Sequence, residues 1–327
     1  MMIDDLRSLA MLDWLENDLL LTINRCEIAS SDASFRRYFR IHTEEGSFII
    51  MDAPPDKEKL EPFMHVAALM AHAQLHVPAI FQHNLTDGFL LLEDLGSRCV
   101  LDEINSQNAH ALYQTACASL LALQTNTDLA NSQLPAYDAA LLERELGIFE
   151  EWFLGQYLDI EIPADLWQNV RDILITSALE QPVTCVHRDY HSRNLMVLED
   201  NSIGVIDFQD AVLGPITYDV VSLLRDCYIA WDAEQVESWM TAYYQQLHTA
   251  QLINCDLTQF KRWFDLMGMQ RHLKAIGIFS RLNFRDNKPD YLNDIPRTLH
   301  YVTTQAAAYP EFAEFSAFLN HSVLPAL

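Results

Sequence analysis

Basic residues are scarce in this chain: 21 lysines and arginines stand against 46 aspartates and glutamates, a formal net charge of −25. That balance excludes a general nucleic-acid binder, because a phosphate backbone needs a basic footprint, and it disfavours docking on an anionic membrane. The six cysteines, Cys26, Cys99, Cys117, Cys185, Cys227 and Cys255, are scattered and form no C-x-x-C pair. Zinc-ligand spacing and a compact disulfide framework are therefore missing, and free thiols in a reducing compartment are expected. No apolar run is long enough to span a membrane. The acidic start Met1-Met2-Ile3-Asp4-Asp5-Leu6-Arg7 lacks the apolar core of a secretory signal, so a cytoplasmic protein is expected. Hydrophobic residues, by contrast, make up 50% of 327 positions, enough for a large core and for two domains.

The most informative segment is Cys185-Val186-His187-Arg188-Asp189-Tyr190-His191-Ser192-Arg193-Asn194, followed by Val205-Ile206-Asp207-Phe208. It fits H-R-D-x-x-x-x-N with an Asp in a β-type run beyond it, the order found in the catalytic loop and metal site of protein-kinase-like phosphotransferases. The spacing suits the chemistry. Asp189 is placed as the base that takes a proton from an acceptor hydroxyl, while Asn194 and Asp207 are oxygen ligands for Mg²⁺ on the nucleotide phosphates. Each residue alone has a structural reading, as a loop acid, a turn residue or a strand-end carboxylate. The three in this order are far rarer.

Periodicity supports two parts of different character. Residues 4 to 20 carry leucines at helical spacing. Residues 35–42 and 47–51 alternate as strands, with a turn at Glu44-Glu45-Gly46 between them and an earlier strand near 21–29. A helix over 57–75 and strands at 76–80 and 88–92 complete the pattern. From about residue 100 the chain reads as mainly helical, over 107–123, 138–155, 164–179, 216–230, 233–249, 256–280 and 295–306. The expectation is an α+β, two-lobed, protein-kinase-like fold, with an N-lobe at 1–95 and a C-lobe at 96–327.

His187, Asp189, His191 and Asn194 resemble the H-x-D-x-H-x-x-N pattern of the aminoglycoside phosphotransferase superfamily. Segments 31–40, Met51-Asp52-Ala53-Pro54-Pro55 and 206–215 resemble more closely the bacterial anomeric N-acetylmuramate/N-acetylglucosamine 1-kinases of that superfamily. The resemblance implies ATP as phosphoryl donor, Mg²⁺, and the anomeric hydroxyl of a small amino sugar as acceptor. It further implies peptidoglycan recycling and functional coupling to a sugar-1-phosphate uridylyltransferase. A kinase of aminoglycosides or choline-like amines, or a non-catalytic nucleotide-binding regulator, are the rival readings.

The remaining site residues are less distinctive. The loop Ser31, Asp32, Ala33, Ser34 lies where a nucleotide-covering loop belongs, yet it holds no glycine and alone reads as a polar hairpin. Glu93 and Leu95 fall at the hinge that would meet the adenine edge. A strand lysine that pairs with the α- and β-phosphates in kinases is absent; its position falls at or near Met51. Arg36, Arg37 or Arg40 is the expected substitute, with Arg36 and Arg40 on one strand face and Arg37 on the other. Asp210 could support metal, support acceptor, or cap a helix. His191 could orient the loop or take part in chemistry, and Asp219 reads as an anchor beneath it. Arg271, His272, Lys274, Arg281 and Arg285 form a basic group, with Arg271 and Arg281 the candidate acceptor residues; ordinary ion pairing with the many acids explains such a group equally well.

Overall fold

The protein is described by a computed structural model in residues 5–31 and 35–327; for Ser30 and Ser31 only the backbone is described. The chain opens with helix α1 (Leu6–Asp13), capped by Asp5, whose carboxylate accepts from the backbone N–H groups of Arg7 and Ser8. A wider turn, Trp14–Asp18, extends it. Strands β1 (Arg25–Ser31), β2 (Arg37–His42), β3 (Ser47–Asp52), β4 (Ile80–Asn84) and β5 (Phe89–Glu93) then form one antiparallel sheet in the order β1-β2-β3-β5-β4.

Alternation divides that sheet into two faces. Phe39, Ile41, Ile50, Phe89 and Leu91 pack against Met11, Trp14 and Leu15 of α1. Tyr38, Arg40, Ile49 and Leu92 point the other way and line a cleft. The fourth strand departs from expectation: it runs 80–84 rather than 76–80, and His76 makes only an isolated bridge to Gly204. Pro78 explains the shift, since it carries no N–H for a ladder.

Helix α2 (Leu60–His72) buries Phe63, Val66, Ala67 and Met70 against the cleft side of the sheet. The Phe63 ring lies 4.9 Å from that of Phe208, the residue after Asp207. Beyond β5 come α3 (Val100–Glu103), α4 (Ala109–Asn126), α5 (Ala139–Ile148) with its extension Phe149–Leu158, and α6 (Ala164–Leu179). Two small hairpin-like pairs follow. β6 (Val183–Val186) pairs with β9 (Val212–Pro215), and β7 (Leu195–Val197) with β8 (Ile203–Val205). The remaining helices are α7 (Tyr218–Leu224), α8 (Ala233–Thr249), α9 (Leu257–Asp286), α10 (Ile295–Ala308) and α11 (Ala313–Phe318). Helix α7 is shorter than expected and α9 longer. No helix among the described residues is long and apolar enough to cross a membrane.

Helix α9 runs through the middle of the helical region, and from Phe260 to Leu282 most of its residues are buried on every side. It can lie so deep because of Gly277. A Cβ there would come within 2.6 Å of the Ile148 carbonyl and 2.7 Å of the Phe149 nitrogen. The close approach presses α9 onto the end of α5, and so sets Gln270 and Lys274 beside Glu145.

Candidate active site

The loop between β6 and β7 holds Asp189. Its shape is fixed from below by Asp219 on α7, which accepts from the backbone N–H of His187 at 2.7 Å and of Arg188 at 3.0 Å. Burial raises the Asp219 carboxyl to about 7 in spite of those two donors. His187 ties the loop sideways: its Nδ1 accepts from the Asp189 N–H at 3.2 Å. Its Nε2 therefore carries the proton and donates to the Ile206 carbonyl at 3.1 Å. Burial holds this ring neutral, with its pKa lowered to about 4. Arg188 and Asp207, one on each side of that bridge, have φ of 77° and 64°. Left-handed backbone at non-glycine residues persists only where surrounding contacts enforce it.

Asn194 joins the two halves of the motif. Its Nδ2 donates to the Asp189 carbonyl at 3.1 Å and to Asp207 Oδ2 at 3.3 Å, which leaves its Oδ1 without a donor among the described residues. Gln209 Nε2 donates to Asp207 Oδ1 at 2.8 Å. No cluster of three His, Cys, Asp or Glu side chains suited to a metal occurs among the described residues. The oxygens at hand are one carboxylate and one amide, a set that suits a cation which keeps waters and phosphate oxygens for its other positions.

Asp189 is half-buried, and its carboxylate oxygens accept no hydrogen bond from the described residues. Burial pushes this carboxyl up, but nearby positive charge, Lys274 foremost and Arg271 among the rest, holds it below its ordinary value. Lys274 is itself buried. It sits 2.9 Å from Glu145 Oε1 and donates to Tyr218 Oη at 3.1 Å. Glu145 also pairs with Arg188, and its other oxygen takes bonds from Tyr137 and from Gln270 at 3.3 Å. One buried carboxylate thus gathers the catalytic loop, α5 and α9.

On the loop's other flank, Asp226 accepts from Ser192 N at 2.9 Å and Oγ at 2.5 Å, and from Tyr228 N at 2.9 Å. Tyr228 meets His191 edge-on, with ring centroids 5.2 Å apart, and carries the Arg193 guanidinium 3.8 Å above its face. His191 is buried with no partner for its Nδ1 among the described residues. Glu145, Asp226 and Tyr228 were missed by sequence reasoning. A single side chain outside any motif, such as Glu145 in α5 or Asp226 and Tyr228 just beyond α7, gives no local sign of its distant partners.

The cleft between sheet and helical region has a volume of ≈ 360 Å³ and is lined by Tyr38, Arg40, Ile49, Glu93, Asp94, Leu95, Asn194 and Asp207, among others. The sequence candidates for nucleotide contacts separate here. Glu93 and Leu95 line it, although the Glu93 carboxylate is occupied by His76 Nε2 at 2.9 Å and the Ala79 N–H at 3.1 Å. Arg40 lines it too and grips Asp94 through two bonds of 2.7 and 2.9 Å. Arg36 pairs with Glu58 at 3.2 Å. Arg37 belongs to the opposite face, where it pairs with Asp5 and with the buried Asp52. Met51, opposite Tyr38, is fully buried where the lysine would stand. Asp32, Ala33 and Ser34 lie outside the described residues, and Ser31 is described only as the end of β1.

The acceptor candidates separate as well. Asp210 is exposed; its backbone carbonyl takes a 3.4 Å bond from Arg188. A helix-cap role is ruled out because β9, not a helix, follows it. Arg271 is buried within the field of Asp189. Arg281 lies ten residues further along α9, about 15 Å on and turned to another face, where Arg285, Asp286 and Glu151 are its charged neighbours. The structure therefore brings Arg271, and not Arg281, to the catalytic loop. His272 donates to or accepts from nothing in the site: its Nε2 bonds the Arg225 carbonyl and its ring stacks on Tyr301.

Comparison with known proteins identifies the family and the fold. The profile of the phosphotransferase enzyme family matches residues 25–253. The chain is 46% identical over 295 residues to an N-acetylmuramate/N-acetylglucosamine kinase of Pseudomonas aeruginosa, covering 89% of this chain and 86% of that one. A Neisseria meningitidis protein of the same name is 39% identical over 327 residues, with 96% and 95% covered. Among solved structures, the choline kinase LicA from Streptococcus pneumoniae superposes with a TM-score of 0.65 at 12% identity, covering 92% of this chain and 99% of that one. ADP-bound aminoglycoside phosphotransferase APH(2'')-Ib gives 0.60 at 14%, covering 89% and 97%.

Proposed function

The chain belongs to the phosphotransferase enzyme family, and on that premise we propose that it transfers the γ-phosphoryl group of ATP to the anomeric hydroxyl of an amino sugar, N-acetylmuramate or N-acetylglucosamine. The observation that carries this reading is the Asn194 amide, which bonds Asp189 on one side and Asp207 on the other at the floor of the cleft. The names of the relatives supply the acceptor.

In this reading Asp189 takes the proton of the attacking hydroxyl. An anomeric hydroxyl is more acidic than an ordinary alcohol, so a carboxylate held ionised by Lys274 is an adequate base. Asn194 Oδ1 and Asp207 would hold Mg²⁺, which neutralises phosphate charge when bound. Glu93 and Leu95 offer backbone groups to the adenine; the Leu95 N–H has no acceptor among the described residues. Arg40, which lines the cleft, and Arg36, just before β2 and paired with Glu58, take over from the missing lysine, and Ser31 to Ser34 are the candidates for phosphate contacts. The hinge Glu93-Asp94-Leu95-Gly96 at the end of β5 is the boundary of this reading, between a nucleotide lobe ending at 95 and a catalytic lobe starting at 96. The product, a sugar 1-phosphate, is what a uridylyltransferase consumes, which suits peptidoglycan recycling.

The test is phosphoryl transfer from radiolabelled ATP to a panel of N-acetylmuramate, N-acetylglucosamine, glucose, choline and an aminoglycoside. Turnover confined to the two amino sugars is expected. Turnover of the amines instead, or of nothing, would overturn the proposal.

A further inference from the structure

Among the described residues three cations are buried: Arg225, Arg271 and Lys274. Two of them are paired in the ordinary way. Arg225 meets Asp265 at 2.6 Å and Lys274 meets Glu145 at 2.9 Å. Arg271 has no carboxylate within ion-pair reach among the described residues, and its one hydrogen bond goes to the Cys227 thiol at 3.5 Å. In a chain with more than two acids for every base, an unpaired buried guanidinium is out of character. Taking a charge out of water is costly unless a partner compensates it, and a thiol is a weak acceptor.

The nearby acids do not supply that partner. Burial disfavours the charge on Arg271, and apart from the Cys227 contact it is offset only at longer range, by Tyr218, Asp226 and Asp189. Asp226 spends both oxygens on Ser192 and Tyr228. The Asp189 carboxylate makes no bond to Arg271 and accepts none from any described residue. The site therefore contains an open base and an open cation, each within the field of the other. A molecule that places a hydroxyl at one and an anion at the other satisfies both.

We propose that Arg271 reads a carboxylate on the acceptor, which makes this a site for a sugar acid ahead of its neutral counterpart. The inference rests on the amino-sugar reading above and selects within it: N-acetylmuramate carries a lactyl carboxylate and N-acetylglucosamine does not. A guanidinium grips a carboxylate through two parallel hydrogen bonds, a geometry an ammonium cannot copy. Lys274 is no rival, because Glu145 and Tyr218 already hold its Nζ.

The experiment measures kcat/KM for N-acetylmuramate, its methyl ester and N-acetylglucosamine, in the wild type and in Arg271→Gln. The ester keeps the shape of the acid and removes its charge. In the wild type the acid is expected to exceed the ester by roughly 10- to 150-fold, the worth of a hydrogen bond to a charged group. In Arg271→Gln the acid-to-ester ratio should fall towards one. If Arg271→Gln does not fold, Arg271→Lys carries the test: a lowered ratio supports the proposal and an unchanged one overturns it. Equal use of acid and ester by the wild type overturns it as well, as does a loss shared equally by all three acceptors, which would place Arg271 on the transferred phosphoryl group or in the core. If the wild type phosphorylates none of the three, the amino-sugar reading itself fails. That result is distinct from turnover of all three with no preference, which sinks only the role of Arg271.

Discussion

The two walls of the cleft are held by different kinds of interaction. On the helical side a few buried groups bind several partners each: Asp219 holds two backbone N–H groups, Asp226 three donors, and Glu145 four side chains. On the sheet side the arginines of and beside β2 make separate pairs rather than one shared network, Arg36 with Glu58, Arg37 with Asp5 and Asp52, and Arg40 with Asp94. Buried networks of this kind are rigid and unforgiving when one member is removed. Partly solvated pairs are individually weak and can exchange partners. In the function proposed above, the wall that holds the reacting atoms is thus the rigid one, and the wall that lets nucleotide in and out is the exchangeable one.

The largest expected effect lies on the rigid wall. Asp189→Asn preserves shape and removes the base, so turnover should drop by ~10²–10⁴-fold while nucleotide binding and the melting temperature stay close to wild type. Turnover within a few-fold of wild type would remove Asp189 from the role of base.

Removing the central carboxylate should cost stability rather than chemistry alone. Glu145→Leu is similar in volume but strands the buried Lys274 and the half-buried Arg188 without their carboxylate, a loss of about 3–5 kcal/mol in urea unfolding. By contrast Arg25→Ala, which breaks an exposed pair with Glu27 on β1, should change stability by less than about 1 kcal/mol. Similar losses in the two variants would erase the difference between the walls. In the same network, Lys274→Met should raise the Asp189 pKa and move the acid limb of kcat/KM to higher pH.

How much of this was legible beforehand follows from the range of each interaction. Asp189, Asn194 and Asp207 lie on one stretch of 19 residues, so spacing alone brings them together. Asp219 is close enough in sequence to be read as their support. Glu145 and Lys274 are 129 residues apart and meet only because Gly277 lets α9 settle on the end of α5. Nothing local in either segment announces that. The choice between Arg271 and Arg281 was illegible for the same reason: both look alike in a basic helix until the packing of α9 buries one beside the loop. The misplaced fourth strand was avoidable, since Pro78 was in view.

Asn194→Ala and Asp207→Ala should raise the Mg²⁺ requirement for ATP binding while leaving sugar affinity largely intact, because both are placed to give oxygen ligands to a hard cation. A Mg²⁺ titration of the ATP KM reads this, and unchanged dependence in both would take them out of the metal site. On the exchangeable wall, Arg36→Ala and Arg40→Ala should raise the ATP KM by about tenfold, the scale of one charge-assisted bond. Arg37→Ala, on the far face, should act on stability and leave that KM nearly unchanged. Equal effects from all three would mean that the sheet's two faces do not divide the work.

The smallest effect probes how tightly the rigid wall excludes protons. His187 is neutral in the fold with a pKa lowered to about 4 by burial, against about 6.5 in an unfolded chain. Between those values the unfolded chain binds a proton here and the folded one does not, so this residue makes stability fall as the pH falls from about 6.5 to 4. The slope is at most ~1.4 kcal/mol per pH unit. Asp219, raised to about 7, acts in the opposite direction over much of that range, so the wild-type curve alone does not isolate His187. The difference between wild type and His187→Gln does, because Gln cannot titrate and the Asp219 contribution is common to both. Urea unfolding of the two proteins at pH 7, 6, 5 and 4.5 should therefore give curves that differ by a constant above pH 6.5. Below it the wild type should lose stability faster than the variant. Parallel curves throughout would mean that the His187 ring takes up its proton in the fold, and that the bridge from Asp189 N–H to the Ile206 carbonyl is looser than its buried geometry implies.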